Sequence, residues 1–223
     1  METSGGKSVS SKHTKASHQR GLVKLSAKNE KLIDIRHEQI IEGACRLFFK
    51  KGFHPTTIRE IAQECGMSMG KLYHYISSKD DVLFLVNKYI AMKWYENIER
   101  SGVEKIKDPL KLLEIALRRT IEFITKNKKL LLFVYTESKY MEKRYLHEVL
   151  SLDDKLIVGF WRQVLEKAYE KKKIKTDKDF SANLIAFLSV FLALRGWNLK
   201  KRSNKKNIDF LMDFILRGLG IVG

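Results

Sequence analysis

The residues able to do chemistry gather between positions 56 and 79. Thr56, Thr57 and Ser68 bring hydroxyls, Lys71 and Lys79 bring ammonium groups, and Tyr73, His74 and Tyr75 bring aromatic rings with polar tips. Met69 and Gly70 stand among them, and a glycine there permits close approach of the backbone to a partner. No nucleophile–base pair and no nucleotide-binding loop accompanies the set, and Glu60 and Glu64 read as a solvated face. The chemistry on offer is therefore recognition, not turnover, and the sequence gives no ground for an enzyme. Hydroxyls, lysines and free amides at helix starts hold phosphate oxygens. Lys71 can reach guanine acceptors or a phosphate, and the three aromatic residues suit phosphates and thymine methyls.

Such groups read DNA only when rigid elements present them together. Gly52 predicts the end of a leading helix over 34–51 with Ile40, Ile41, Ala44, Phe48 and Phe49 on one face. Thr57 followed three residues later by Glu60 is the capping-box spacing, which starts a short helix with Ile58, Ile61, Ala62 and Cys65 inward. Gly66 allows a tight turn, and Ser68 caps a second short helix over 68–76. Its expected inward residues are Leu72 and Ile76, with Ser68, Met69, Lys71, Tyr73, His74 and Tyr75 largely outside. Ser78 caps a longer helix over 79–100. Two short helices around a glycine turn, the second laid in a major groove, make a helix-turn-helix.

Residues 36–95, above all Phe53-His54-Pro55-Thr56-Thr57-Ile58-Arg59-Glu60-Ile61-Ala62 and the run from Gly66 through Leu72-Tyr73-His74-Tyr75 to Ser78-Lys79, closely resemble the DNA-binding head of the TetR family. The resemblance implies an all-α homodimer with a three-helix head and a variable helical C-terminal domain that binds ligand and dimerises. It implies a regulator that usually represses and releases DNA when a small molecule fills that domain. An activator of the same family, or a non-specific architectural protein, are the alternatives. The matching phosphate contacts fall on Thr57, Tyr73, His74 and Lys79, and base readout falls near Met69, Gly70, Lys71 and Tyr75. Ile76 replaces the usual Phe, and Met69 stands where a polar residue is common, so no particular base contact is carried over to it. The organisation expected is a basic tail at 1–31, a head at 32–95 with its motif at 57–76, and a ligand-binding and dimerisation domain at 96–223.

In that last part the 177–200 run is apolar nearly all round, with Phe180, Leu184, Phe187, Phe191 and Trp197 among its large residues. A second stripe follows at 205–219. Two such helices per subunit predict a four-helix dimer interface, with a buried monomer core as the other reading. Phe123, Phe133, Tyr135, Tyr140, Phe160, Trp161 and Trp197 are candidates to line an apolar ligand cavity, though each could be ordinary core. Two segments, Tyr140–Glu148 and Leu192–Trp197, are loosely similar to regulators of lipid and acyl-coenzyme A metabolism. That similarity suggests an acyl-CoA effector whose phosphates meet Arg144, Lys143, Arg195 or Lys200.

Composition is consistent with this picture. The 223 residues carry 43 Lys+Arg against 26 Asp+Glu, a net charge of +17, which calls for a polyanionic partner. The excess lies mostly beyond the head: +4 over 1–35, +3 over 36–95 and +10 over 96–223. Charge alone therefore does not locate a DNA site. The 1–31 tail, basic and poor in large apolar groups, reads as a solvated leader or as an arm along DNA phosphates. Cys45 and Cys65 form no zinc or disulfide pattern and read as buried thiols. No cofactor or metal is expected. The stretch 180–194 is short of the roughly 20 residues that a spanning helix needs, and a cytoplasmic location is expected.

Overall fold

The computed structural model describes residues 30–172, 176–199 and 201–221. The expected tail at 1–31 lies outside them, except that the first helix begins at Glu30. Lys200 lies outside them as well. Among the described residues every regular element is helical. In chain order these are α1 (Glu30–Lys51), α2 (Ile58–Glu64), α3 (Met69–Tyr73), α4 (Lys79–Arg100), α5 (Pro109–Lys126), α6 (Lys128–Glu137), α7 (Lys143–Asp153), α8 (Gly159–Lys172), α9 (Lys178–Ser189), α10 (Phe191–Arg195) and α11 (Asn204–Gly218). One π-helical turn, Asp154–Val158, joins α7 to α8.

The ends are fixed by side-chain caps that satisfy amides left without partners in a first turn. Thr57 and Ser78 each form a full capping box, with Glu60 and Asp81. Ser68, Asp177 and Ser203 cap α3, α9 and α11. Asp108 caps α5, and Pro109 follows at the first helical position, where its missing N–H does no harm. Gly52 ends α1 with φ +92°, and Gly66 makes the turn between α2 and α3 with φ +61°, a left-handed backbone that a side chain would strain.

Two elements depart from the sequence reading. The helix expected over 68–76 stops at Tyr73, and the chain continues in tight turns, with Tyr75 N–H donating to Leu72 O at 2.9 Å. The 177–200 run is also broken. α9 ends at Ser189, where the Ser189 hydroxyl bonds back to Ile185 O at 2.7 Å, and α10 starts at Phe191. Hydroxyl back-bonding of this kind bends helices.

Two apolar cores hold the chain together. One lies in the head, around Ile40, Phe48, Ile61, Leu72, Ile76 and Val82–Val86; the other lies in the body, around Trp94, Leu113, Leu117, Trp161, Leu165 and Ile215. Helix α4 belongs to both, its first half in the head and its second half in the body. The head core also takes Phe133, Met141 and Tyr145 from α6 and the start of α7. Packing thus does not divide at residue 95, which falls inside α4. The run Lys178–Leu199 is long and apolar enough to cross a membrane by length and composition. Here its inner residues Ala182, Ile185 and Leu192 are buried in the body core, while Phe180, Leu184, Phe187 and Phe191 are exposed.

Candidate nucleic-acid interface and ligand cavity

Helix α3 is mounted by its apolar edge. Leu72 and Ile76 are fully buried among Ile40, Ala44, Ile61 and Val82, so the opposite edge must face outward. That edge presents Ser68, Gly70, Lys71, Tyr73 and His74, all exposed, with Met69 half-buried. Ser68 Oγ accepts from Lys71 N–H at 3.2 Å, which anchors the first turn. Nothing in the protein lies within 4 Å of where a Cβ on Gly70 would sit, and its φ is not positive. The fold itself therefore does not require glycine there. A Gly70→Ala variant is accordingly expected to melt no lower than the parent, since alanine favours a helix by about 0.5–1 kcal/mol. Where duplex DNA packs against that backbone, the added methyl is expected to lower affinity for it. Equal DNA affinity in a binding titration would show that no partner approaches that backbone.

Three residues expected to touch DNA sit elsewhere. Thr56 is 1% exposed; its hydroxyl donates to Gly52 O at 2.7 Å and its N–H to Phe53 O at 3.1 Å, so neither group is left for a phosphate. Tyr75 is buried, not outside. It follows Leu72 by three residues and so shares its inward face, edge-on to His37 at 6.3 Å between ring centres. Burial holds the His37 imidazole below its usual pKa. Lys79 is an internal brace. Its ammonium lies 4.3 Å above the Phe53 ring and donates to the carbonyls of Phe53, His54 and Thr56 at 3.0–3.1 Å. Those three bonds use all its donors and tie the loop before α2 to the start of α4.

Thr57 is exposed, but its hydroxyl and N–H both donate to Glu60 Oε2 at 2.8 Å. Lys51 holds the other Glu60 oxygen at 2.6 Å. The Lys51 bond, followed by those of Thr57, draws the Glu60 carboxyl down to about 2. Cys65 is buried and Cys45 half-buried; loss of hydration pushes their thiols up to about 11 and about 12, which makes both poor nucleophiles.

At the base of this head, Asp81 is 1% exposed. It accepts from Ser77 N–H, from Ser78 N–H at 3.2 Å and from the Ser78 hydroxyl. The hydroxyl of buried Tyr145, on α7, also donates to it. Burial first, and then the Asp81 bond, keep the Tyr145 phenol protonated far above its usual range.

Helix α7 also faces a second site. A cavity of about 550 Å³ lies between α4, α5, α6, α7, α8, α9 and α10. Its wall is mostly apolar, with Ile90, Trp94, Ile124, Leu146, Val149 and Val158 among it. Of the residues expected to line a cavity, Phe123, Tyr135 and Trp161 do so. The others are placed differently. Phe133 is stacked on Phe48 at 5.1 Å in the head core. Tyr140 is exposed and meets His54 edge-on at 4.6 Å. Phe160 packs in the body core against Trp94 and Trp161. Arg144 is exposed, pairing with Glu142 at 3.0 Å and lying over the Tyr145 ring. Arg195 lies over Trp197, itself 62% exposed.

Beside the cavity is a surface pocket of about 450 Å³ between α4 and α5. It shares Ile90 and Phe123 with the cavity and carries Lys93, Arg100, Arg119 and Lys126 against Glu96 and Glu122. Lys93 lies 3.4 Å and Arg100 3.5 Å from Glu96, while Arg119 lies 3.5 Å from Glu122. Sequence reading passed these cations over because each looks like an ordinary charged position on an amphipathic helix. The exposed apolar face is the third feature. Phe180, Leu184, Phe187 and Phe191 follow one another at helical spacing along α9 and α10, and Phe210 and Phe214 do so on α11. Phe187 serves both places, as a cavity wall residue that is also 58% exposed.

Residues 40–86 match the family model for bacterial regulatory proteins of the tetR family. The chain is 37% identical over 91 residues to the HTH-type transcriptional regulator HbdR of Aromatoleum sp. (strain CIB), a match spanning 41% of this chain and 39% of that relative. The likeness to that relative therefore covers well under half of its length. Solved structures are alike over nearly their whole length. AibR, in complex with isovaleryl coenzyme A and operator DNA, superposes with a TM-score of 0.61 at 22% identity, over 82% of this chain and 97% of that one. The fatty acid degradation regulator FadR from Bacillus halodurans gives 0.66 at 18% identity, over 86% and 97%.

Proposed function

We propose, from the match of residues 40–86 to the family model for bacterial regulatory proteins of the tetR family, that the chain is a regulator of that family and a sequence-specific repressor that binds a near-palindromic operator as a homodimer. The observation that carries this reading is the α3 edge: Ser68, Gly70, Lys71, Tyr73 and His74 face outward on a helix whose other edge is locked by Leu72 and Ile76. An element so held can enter a major groove without losing much conformational freedom. A second copy across α9 and α11 covers the aromatic stripe and sets two α3 helices about one DNA turn apart, roughly 35 Å. The protein acts in the cytoplasm, where its DNA is.

The effector is a fatty acyl-CoA. An acyl chain suits the apolar cavity, and the phosphates of the carrier suit the adjoining pocket with Lys93, Arg100, Arg119 and Lys126. These cations replace Lys143, Arg144 and Arg195 as candidates. Filling the cavity changes the spacing of the heads through α4 and α7, which have residues in both places. An effector acts only through its preference for one of the two spacings.

The test is a binding titration on the promoter DNA of the protein's own gene. Expected is a preferred near-palindrome bound at least about a thousandfold more tightly than random duplex, affinity that falls steeply with salt, and release on adding an acyl-CoA. Equal affinity for all duplexes would overturn the reading. Operator binding that no acyl-CoA affects would remove the effector alone.

A further inference from the structure

Two indoles stand in the cavity wall, and the chain treats them differently. Trp94 Nε1 donates to the Thr120 hydroxyl at 3.2 Å. Trp161, at 0% exposure, has its Nε1 buried with no acceptor from the protein. Buried N–H groups nearly always have a partner, because losing water without replacement is unfavourable. The other polar groups of the wall are occupied or unsuited to help. Asn87 Nδ2 donates to Leu83 O at 2.8 Å, and its Oδ1 accepts from Ser138 at 3.1 Å. Asn183 Nδ2 donates to Asp179 O at 2.9 Å.

The wall also has a sign. Among the described residues no Lys, Arg or His lines the cavity, and the one carboxylate in its wall is Asp153. An Asp153 carboxylate offers no positive charge to a second anion. An anionic end inside would have no counter-charge and would face Asp153.

We infer that Trp161 Nε1 is the polar reading point of the cavity, and that the part of the ligand lodged there is uncharged, apolar and carries a carbonyl oxygen that accepts from it. The inference rests on the cavity being the effector site. It narrows the ligand class to esters, thioesters, ketones and their like, and it sets aside free fatty acids. A thioester with its charge outside, in the Lys93–Lys126 pocket, belongs to this class.

The experiment uses three nine-carbon probes: 2-nonanone, nonane and nonanoate. The full-length protein is titrated with each, and its indole N–H signals are followed by ¹H–¹⁵N NMR, with Trp161 assigned from the Trp161→Phe variant. Saturation with 2-nonanone is expected to move the Trp161 indole proton downfield, as a new hydrogen bond requires, and nonane is not expected to do so. Trp161→Phe is expected to weaken 2-nonanone about fivefold, the scale of one neutral hydrogen bond, and to leave nonane unchanged. Nonanoate is expected to bind more weakly than the ketone. If ketone and hydrocarbon both bind but the Trp161 signal stays put, the acceptor is refuted and the cavity stands as a ligand site. If nonanoate binds more tightly than 2-nonanone, the uncharged class is refuted. If none of the probes binds, the effector cavity and the inference fall together. The NMR arm uses the unaltered protein, so a poorly folded variant does not decide the outcome.

Discussion

Replacing Phe214 by Asp is expected to give a folded monomer that no longer holds its operator. Phe214 is 59% exposed on α11 and contributes little to the core of its own subunit. Phe210, one turn earlier on the same helix, is exposed as well, as are Phe180, Leu184, Phe187 and Phe191 on α9 and α10. Aromatic groups exposed in such number are unusual for a surface that faces only water. In the proposed dimer the new carboxylate is buried against a second apolar face with nothing to pair with, which is strongly unfavourable. Two linked heads engage two half-sites with an advantage on the order of a hundredfold or more over one head, and that advantage goes with the dimer. Sedimentation should show half the mass, thermal unfolding should remain a single cooperative step, and operator affinity should drop by about that factor. A variant that sediments as before would mean that the copies meet elsewhere.

The largest stability effect is expected at Asp81→Ala. The carboxylate serves the Ser77 and Ser78 amides and the Ser78 hydroxyl, in part-buried bonds at the start of α4, and the buried Tyr145 phenol. Alanine leaves buried donors with no acceptor and removes the cap of α4, the helix on which both cores depend. Losing one partner of a buried charged network typically costs about 3–5 kcal/mol. In a chain of this size that amounts to a fall of roughly 10 °C in melting temperature. Tyr145→Phe removes a single donor and is expected to cost about 1 kcal/mol. Denaturant unfolding of both variants is the check. An Asp81→Ala protein within about 1 kcal/mol of the parent would mean that water replaces the carboxylate.

The head was legible in the sequence to a degree that the body was not, and the reason is local. Thr57 with Glu60, Gly66, Ser68 and Ser78 mark helix ends through bonds spanning three or four residues, so a linear reading finds them. The body cavity is walled from seven helices, and whether an aromatic residue is wall or core depends on contacts between distant positions. Phe133 and Trp161 look alike in sequence; one is stacked on Phe48 in the head, the other borders the cavity. Within the head, the misplaced residues have two causes. Thr56 and Lys79 have polar groups satisfied by backbone carbonyls across the loop 52–56. Tyr75 carries a polar tip, yet the position three after Leu72 decides its side. Chemical type suggests a role, and register and loop closure determine whether a side chain is available for it. The net charge misled less than expected, because the +10 beyond residue 95 includes the pocket cations Arg100, Arg119 and Lys126.

Phe187 belongs at once to the cavity wall and to the outer aromatic face. In the proposed dimer, one ring is gripped from inside by an effector and from outside by another subunit. Self-association and effector capture then cease to be independent equilibria, and each must alter the other by the same factor. Apparent effector affinity should therefore vary with protein concentration around the dissociation constant of the dimer, and dilution becomes a regulatory variable in its own right.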